Sequence, residues 1–283
     1  MNERADLDVI RRTFAEELRS SCRLQSARLV EALATVPRER FLPPGPWIVR
    51  GEGEPRAAST ADDDARQIYR NVSVAIDAER QLFNGAPGVV ASWIDAAHAR
   101  TGDRALHIGC GTGYYTAILA TCVGNAGSVT ALEVDEALAA RAQQNLENYD
   151  NVSVQNGNLA QLPAGAHDVA ILSAGLSHPP SELLDTMAPG GRILLPLTAT
   201  FPQMGTLGKG LVFLLERTAH TSDFSVQRLS FVMIYSAVGL RDERMNEALG
   251  RSLMRGTSPT RLRRDPHDAS PECWLHGDGF CLG

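Results

Sequence analysis

The chain predicts a doubly wound α/β fold, preceded by helices and followed by a C-terminal extension. Three observations carry the prediction. From about residue 88, helical and strand patterns alternate along the chain. Asp168–Leu172 and Ile193–Leu197 are apolar throughout, with no alternation, as strands buried on both faces of a parallel sheet must be. A G-x-G-x-G turn, Gly109 to Gly113, joins an apolar run of strand length to one of helix length.

Each element follows in order. Ile10, Phe14 and Leu18 recur at helical spacing, and Leu29, Val30, Leu33 and Val36 form a second stripe that stops at Pro37, so 8–36 reads as two helices. "FLPPGPW" then breaks regular structure. Residues 50–66, "RGEGEPRAASTADDDAR", are polar and acidic without periodicity and predict a mobile loop or lid. Val89, Val90, Trp93, Ile94 and Ala97 share a helical face that ends at Gly102. Ala105–Ile108 is a strand, Tyr114–Cys122 a helix, Val129–Val134 a strand, 136–148 a helix and Val152–Val154 a strand. Leu211–Leu215 and Phe231–Tyr235 read as further strands, and the chain ends in a helix and an irregular tail. The organisation is therefore an N-terminal helical segment with an acidic loop (1–66), a core (67–237) and a C-terminal helix and tail (238–283).

Composition narrows the function. With 43% hydrophobic and 21% charged residues, the chain has the make-up of an ordinary globular protein. No apolar run reaches the roughly 18 residues of a membrane span, and "MNERADLDVIRRTF" lacks the apolar centre of a secretion signal. A net charge of −6 argues against a nucleic-acid partner. The cysteines, at positions 22, 110, 122, 273 and 281, are odd in number and scattered, which fits reduced thiols in a cytoplasm.

The glycine turn lets backbone approach a ligand where open sheets bind nucleotides. Its third glycine comes one residue too early for a dinucleotide fingerprint. Lys209, the sole lysine, is remote, which excludes a phosphate loop of the G-x-x-x-x-G-K type. Glu133, at the end of the next strand, is placed to accept hydrogen bonds from ribose hydroxyls, and Asn158 beyond the third strand to meet a base edge. A compact turn with a ribose acid suits an adenosine without phosphates, and S-adenosylmethionine is the candidate.

With these elements placed, the sequence resembles class I methyltransferases with a Rossmann-like sheet, and within them the protein-L-isoaspartate O-methyltransferase family. "LVEALATVPRERFLP" is similar to that family's N-terminal helix and its exit, "IYRNVSVAI" to its Y-x-[DN]-x-x-L-P-I segment, and "LHIGCGTGYYTAILA" to its glycine motif. "VTALEVDEALAARAQQNL" resembles the strand carrying the ribose acid, and "HDVAILSAGLSHPPSELLDTMAPGGRILLPL" the fourth strand through the G-G-R strand. The resemblance implies S-adenosylmethionine held by Phe83, His107, Gly109, Gly111, Thr112, Gly113, Tyr114, Glu133, Asn158 and Ser173, with Tyr69 in the substrate cleft. It implies a protein or peptide carboxylate as acceptor, with neither nucleic acid nor membrane as partner.

The departures lie around the acceptor. Where the family carries a Q-T-I-S-x-P loop, this chain reads "RQLFNGAPG", which puts Gly85 at the serine and Asn84 beside it. The acid of the family's glycine motif is replaced by His107. Asn84 is expected to orient the acceptor while Gly85 opens room for a bulkier one. A carboxylate acceptor is already ionised, with a pKa of about 4, whereas an amine with a pKa of about 10.4 needs a base. After the fourth strand the chain reads Ser173-Ala174-Gly175, with no Asp-Pro-Pro-Tyr-like amine site. His178 in "GLSHPP" is the remaining candidate base, against a capping role. A small-molecule hydroxyl or amine acceptor, and a non-catalytic S-adenosylmethionine-binding module, are the alternatives; the intact turn and Glu133 count against the module.

Other features carry blander readings. Cys273, His276 and Cys281, with His267 upstream, lie close in sequence, but their spacing is not that of a standard finger, and no metal is assigned to them. "RLRRDPH", residues 261–267, predicts a solvated basic face. Trp47, Trp93 and Trp274 are expected to pack in the core or a lid.

Overall fold

A computed structural model describes residues 3–51, 54, 56–157, 159, 162, 167–201, 203 and 205–283. The chain divides into two units. The first comprises Met1–Gly102, Cys110–Val129 and Asp135–Val154, and the second Asp103–Gly109, Thr130–Val134 and Gln155–Gly283.

In the first unit, α1 (Glu3–Cys22) and α2 (Ala27–Thr35) are the two predicted N-terminal helices. Ser26 caps α2 by accepting from the Leu29 amide, and the Asp95 carboxylate takes the free amides of Gln25 and Ser26 at 3.0 and 2.8 Å. A small antiparallel sheet follows, made of β1 (Ile48–Gly51), β2 (Ala58–Ser59), β3 (Val72–Asp77) and β4 (Leu82–Phe83), in the order β2-β1-β3-β4. The predicted lid is thus partly structured. Ala58 and Ser59 pair with Val49 and Ile48, and Ala65–Ile68 is a 3-10 turn capped by Asp64. Such short pieces show no periodicity, because their order comes from partners distant in sequence. Helix α3 (Pro87–Ala96) starts with proline in its first turn, where the missing N–H costs nothing. Helices α4 (Tyr114–Val123) and α5 (Glu136–Asn145) complete the unit, α5 capped by Asp135. Leu146 ends α5, short of the predicted 148.

A ten-stranded sheet gathers β5 (Arg104–Ile108), β6 (Ser128–Glu133), β7 (Val152–Asn156), β8 (His167–Leu172), β9 (Met187–Ala199), β10 (Leu207–Arg217), β11 (Phe224–Tyr235), β12 (Arg261–Arg263), β13 (Leu275–Gly277) and β14 (Phe280–Leu282). Its order is β13-β14-β12-β11-β10-β9-β8-β5-β6-β7. Strands β5, β8 and β9 run parallel, which is why their sequences are apolar on both faces. From β9 outward, pairing with β10, β11 and β12 is antiparallel. The chain leaves β5 toward β6 and β7 and returns to β8 on the other side, so the direction of winding reverses between β5 and β8. That is where open α/β sheets hold ligands.

The C-terminal tail is not irregular. After α6 (Ser181–Thr186), which precedes β9, and α7 (Glu243–Met254), the strands β12, β14 and β13 extend the edge of the sheet. Each has three residues, too short to leave a pattern in the sequence. The basic cluster is solvated in part, with Arg261 and Asp265 exposed, and its arginines are also tied to partners. Arg261 pairs with Asp223, Arg263 donates to His267 at 2.9 Å, and Arg264 donates to Asp185 at 3.0 Å. Trp47, Trp93 and Trp274 are all buried. Among the described residues, no helix is long and apolar enough to cross a membrane.

Candidate active site

In the first unit the "FNGAP" loop is tied into β3 through Asn84. The Asn84 amide donates to the Val74 carbonyl at 2.9 Å, and its Oδ1 accepts from the Val74 amide at 2.8 Å. Arg38, fully buried, adds a donor to the same Oδ1 at 3.4 Å and spans the carbonyls of Ile68, Arg70 and Val72. With Oδ1 so engaged, the carboxamide has one orientation, and its buried Nδ2 has no partner among the described residues. Sequence reasoning passed over Arg38; its signal was the "PRERF" exit motif.

Gly85 does not open room for an acceptor. A Cβ there would stand 2.5 Å from Val90 Cγ2, so the space a side chain needs is filled by α3. Its carbonyl accepts from the Tyr115 hydroxyl. Phe83 pairs with Ala75 and lies under the Arg50 guanidinium, 4.4 Å from the ring centre.

Tyr69 is corrected from cleft to core. It is buried, and its hydroxyl binds Arg11 and the Arg38 amide, each at 3.0 Å, and the Glu39 carboxylate. Burial and the neighbouring carboxylate raise its pKa. Tyr114 is likewise buried, its ring 5.7 Å from Phe41 and 4.9 Å from Tyr115. Burial pushes its phenol up to about 12, and its hydroxyl has no partner among the described residues. The ring packs inside the unit, and what it leaves to a ligand is its backbone.

The turn itself has the geometry that only glycine adopts freely. Gly109, Gly111 and Gly113 have φ of 76°, 56° and 95°. In the first unit a Cβ on Gly111 would lie 3.3 Å from Ile76, and one on Gly113 would lie 2.7 Å from Leu146. The Thr112 carbonyl is held by Asn145 at 2.9 Å, another contact that sequence reasoning missed.

In the second unit, the Gly109 amide donates to the Leu132 carbonyl at 2.8 Å, and Gly109 faces Ser173 and Ala174 at the end of β8. His107 is buried on β5, its Nε2 bonded to Ser173 Oγ at 3.0 Å. Glu133 is also buried. Its backbone carbonyl accepts from the Gly157 amide at 2.9 Å and from Asn156 Nδ2 at 3.0 Å, so the residue is locked at the end of β6. Asn158 lies outside the described residues. The His178 ring stacks on Phe280, 6.2 Å between centres, and its Nδ1 bonds Ser177 Oγ at 3.0 Å. Burial lowers its pKa.

The burial of His107 has a measurable consequence. Desolvation lowers its pKa from 6.5 to about 4, so the ring is neutral at pH 7. Below 6.5 the unfolded chain takes the proton first, and the folded chain resists until about 4. The stability is therefore present above 6.5 and is lost as pH falls toward 4, by ~3 kcal/mol for a difference of this size. Denaturant titrations at pH 7 and pH 4.5 are expected to show this loss, with a shallower slope in His107→Gln. Equal slopes in both proteins would show that His107 protonates as freely folded as unfolded.

Residues 55–209 match the family model described as protein-L-isoaspartate(D-aspartate) O-methyltransferase. The chain belongs to this family. The protein-L-isoaspartate O-methyltransferase of Ignicoccus hospitalis is 30% identical over 178 residues, 62% of this chain and 75% of the relative. Protein-L-isoaspartate O-methyltransferase 1 of Archaeoglobus fulgidus is 28% identical over 244 residues, 83% of this chain and 98% of the relative. Among solved structures, a Plasmodium falciparum protein described as a putative protein-L-isoaspartate O-methyltransferase, in complex with S-adenosyl-L-homocysteine, superposes with a TM-score of 0.61 at 18% identity, over 80% of this chain and 97% of that one. This likeness establishes the shared Rossmann-like α/β methyltransferase fold. The family match ends at residue 209, before β11, α7 and β12–β14.

Proposed function

We propose that the chain is an S-adenosylmethionine-dependent O-methyltransferase that esterifies an isoaspartyl or aspartyl carboxylate of a protein or peptide. Family membership supports the reaction. The residues fit the cofactor: three left-handed glycines form a cradle, and the buried Glu133 stands at the end of the next strand to take the ribose hydroxyls. In this reading Ser173, just past the end of β8, joins Glu133 on the adenosine side. When bound, S-adenosylmethionine supplies a methyl group activated on a sulfonium.

The chain's own part is to align the acceptor and keep water out. The observation that carries a carboxylate acceptor is the family match over residues 55–209, and the unpartnered Asn84 Nδ2, beside the position of the family serine, is the candidate donor to it. A carboxylate is ionised at neutral pH and needs no base. The engagement of His178 with Phe280 and Ser177 agrees with that economy. The odd set of free cysteines supports a reducing, cytoplasmic setting.

The first test is a mass-spectrometric screen for gain of one methylene on isoaspartyl peptides, aspartyl peptides and small hydroxyl or amine compounds. Methylation of only the last group would replace this reading. Asn84→Asp keeps the acceptor atoms that hold Val74 and Arg38 but removes the free donor. Turnover is expected to fall about 10–100-fold, or 1.4–2.7 kcal/mol. S-adenosylhomocysteine affinity is expected to change less than about threefold. A collapse of that affinity would place Asn84 in the cofactor site, and no change in either quantity would make the loop structural only.

A further inference from the structure

Four potential metal ligands converge in the C-terminal extension. His267 lies between β12 and β13, Cys273 just before β13, His276 on β13 and Cys281 on β14. His276 and Cys281 are paired across the hairpin. One ligand atom from each residue lies within 4.8 Å of all the others. The Cys273 sulfur stands 3.9 Å from His267 Nε2, 3.9 Å from His276 Nδ1 and 2.8 Å from the Cys281 sulfur.

We propose that these four side chains bind one zinc ion as a closed Cys2His2 structural site. A tetrahedral zinc with bonds of about 2.3 Å to sulfur and 2.0–2.1 Å to nitrogen holds its ligand atoms roughly 3.3–3.8 Å apart. The two separations from the Cys273 sulfur to nitrogen need to close by a few tenths of an ångström, the widest of the other pairs, up to 4.8 Å, by roughly 1 Å or more, and the two sulfurs to part by about 1 Å, which side-chain rotations can supply. Two thiolates balance the charge of the ion, and thiolate with imidazole is a donor set that zinc favours.

The surroundings are those of a ligand shell. His267 Nδ1 faces the Asp265 carbonyl at 2.8 Å, with the Asp265 carboxylate at 3.2 Å. Donation from Nδ1 leaves the lone pair on Nε2, the nitrogen aimed at Cys273, as in metal-bound histidines held by an outer carbonyl or carboxylate. Arg263 Nη2 sits on that lone pair at 2.9 Å, and metal binding requires it to leave. Its Nε already lies 3.8 Å from Asp265, which can receive it.

The fold has a use for such a cross-link. Strands β12, β13 and β14 have three residues each, a length that is marginal without further support. Residues 264–274 between them contain no helix or strand. A metal here would bind the loop to the hairpin, and through Phe280 on His178 and Arg264 on Asp185 would brace the segment after β8. The proposal is independent of the methyl acceptor.

The full-length protein, purified under reducing conditions from zinc-supplemented cells, is expected to hold about one zinc per chain by elemental analysis. After chelation, titration with cobalt(II) should saturate near one equivalent, with the visible bands of a tetrahedral ion and thiolate-to-cobalt charge transfer. Chelation should lower Tm and expose two thiols to alkylation. The double variant Cys273→Ser, Cys281→Ser should lose the charge-transfer band. His267→Ala, which keeps both thiols, should bind cobalt at least about tenfold more weakly. Wild-type protein that takes up neither zinc nor cobalt, a Cys273–Cys281 disulfide in freshly isolated reduced protein, or undiminished cobalt binding by His267→Ala would each overturn the assignment.

Discussion

Gly111→Val is expected to abolish S-adenosylhomocysteine binding, with a loss of roughly 100-fold or more, about 2.7 kcal/mol. Gly111 has φ of 56°, and a β-branched residue is a strained occupant of that region, at about 1–3 kcal/mol. The added Cβ would lie 3.3 Å from Ile76 Cδ1, and valine's two methyl groups extend further, so the turn must move to relieve both. Because the turn is proposed to hold the ligand through its backbone, a displaced turn loses the site rather than one contact. Gly102→Ala is the control. It has φ of 87° with open space around it, and so carries backbone strain without a neighbour to displace. It should lose some stability and bind S-adenosylhomocysteine normally. Calorimetric titration of both variants checks this; near-normal binding by Gly111→Val would mean the ligand does not use this turn.

The second large effect concerns stability. Arg38→Met is expected to destabilise the protein by ~3–5 kcal/mol, because a buried network loses its donor while its acceptors stay. Arg38 is fully buried and donates to the carbonyls of Ile68 and Val72, each at 2.7 Å, and Arg70 at 3.4 Å. Methionine fills similar volume but leaves these oxygens without their partner. The same change frees one side of Asn84, so turnover should fall beyond what the lost stability explains. Arg12→Met, which removes an exposed pair with Glu31, should leave Tm almost unchanged. For a domain of this size, ~3–5 kcal/mol corresponds to a Tm drop of roughly 10 °C. A drop under about 3 °C would mean that water reaches those carbonyls in the variant.

How far the site was legible differs from residue to residue. Gly109, Gly111 and Gly113 announced a ligand turn because left-handed backbone is a property of the residue itself. Glu133 was placed by the length of one strand. Asn84 was singled out by position in a motif, but its free Nδ2 follows from Oδ1 being taken by Val74 and Arg38, one of them 46 positions away. Gly85 misled because absence of a side chain looks like space, and the space belongs to Val90. Tyr69 looked available because nothing near it in sequence occupies it, whereas Arg11 and Glu39, 58 and 30 positions away, do.

The parallel core strands, the longer helices and the nucleotide turn were readable from the sequence, since periodicity and backbone preference are set by neighbours along the chain. The small sheet of β1 to β4, the strands of the tail and the meeting of His267 with Cys273, His276 and Cys281 were not. They depend on which distant segments pair and in what register, and a hairpin that opposes His276 to Cys281 leaves no regular spacing in the sequence. Long-range pairing decides where a side chain points, and a local pattern records only that it alternates.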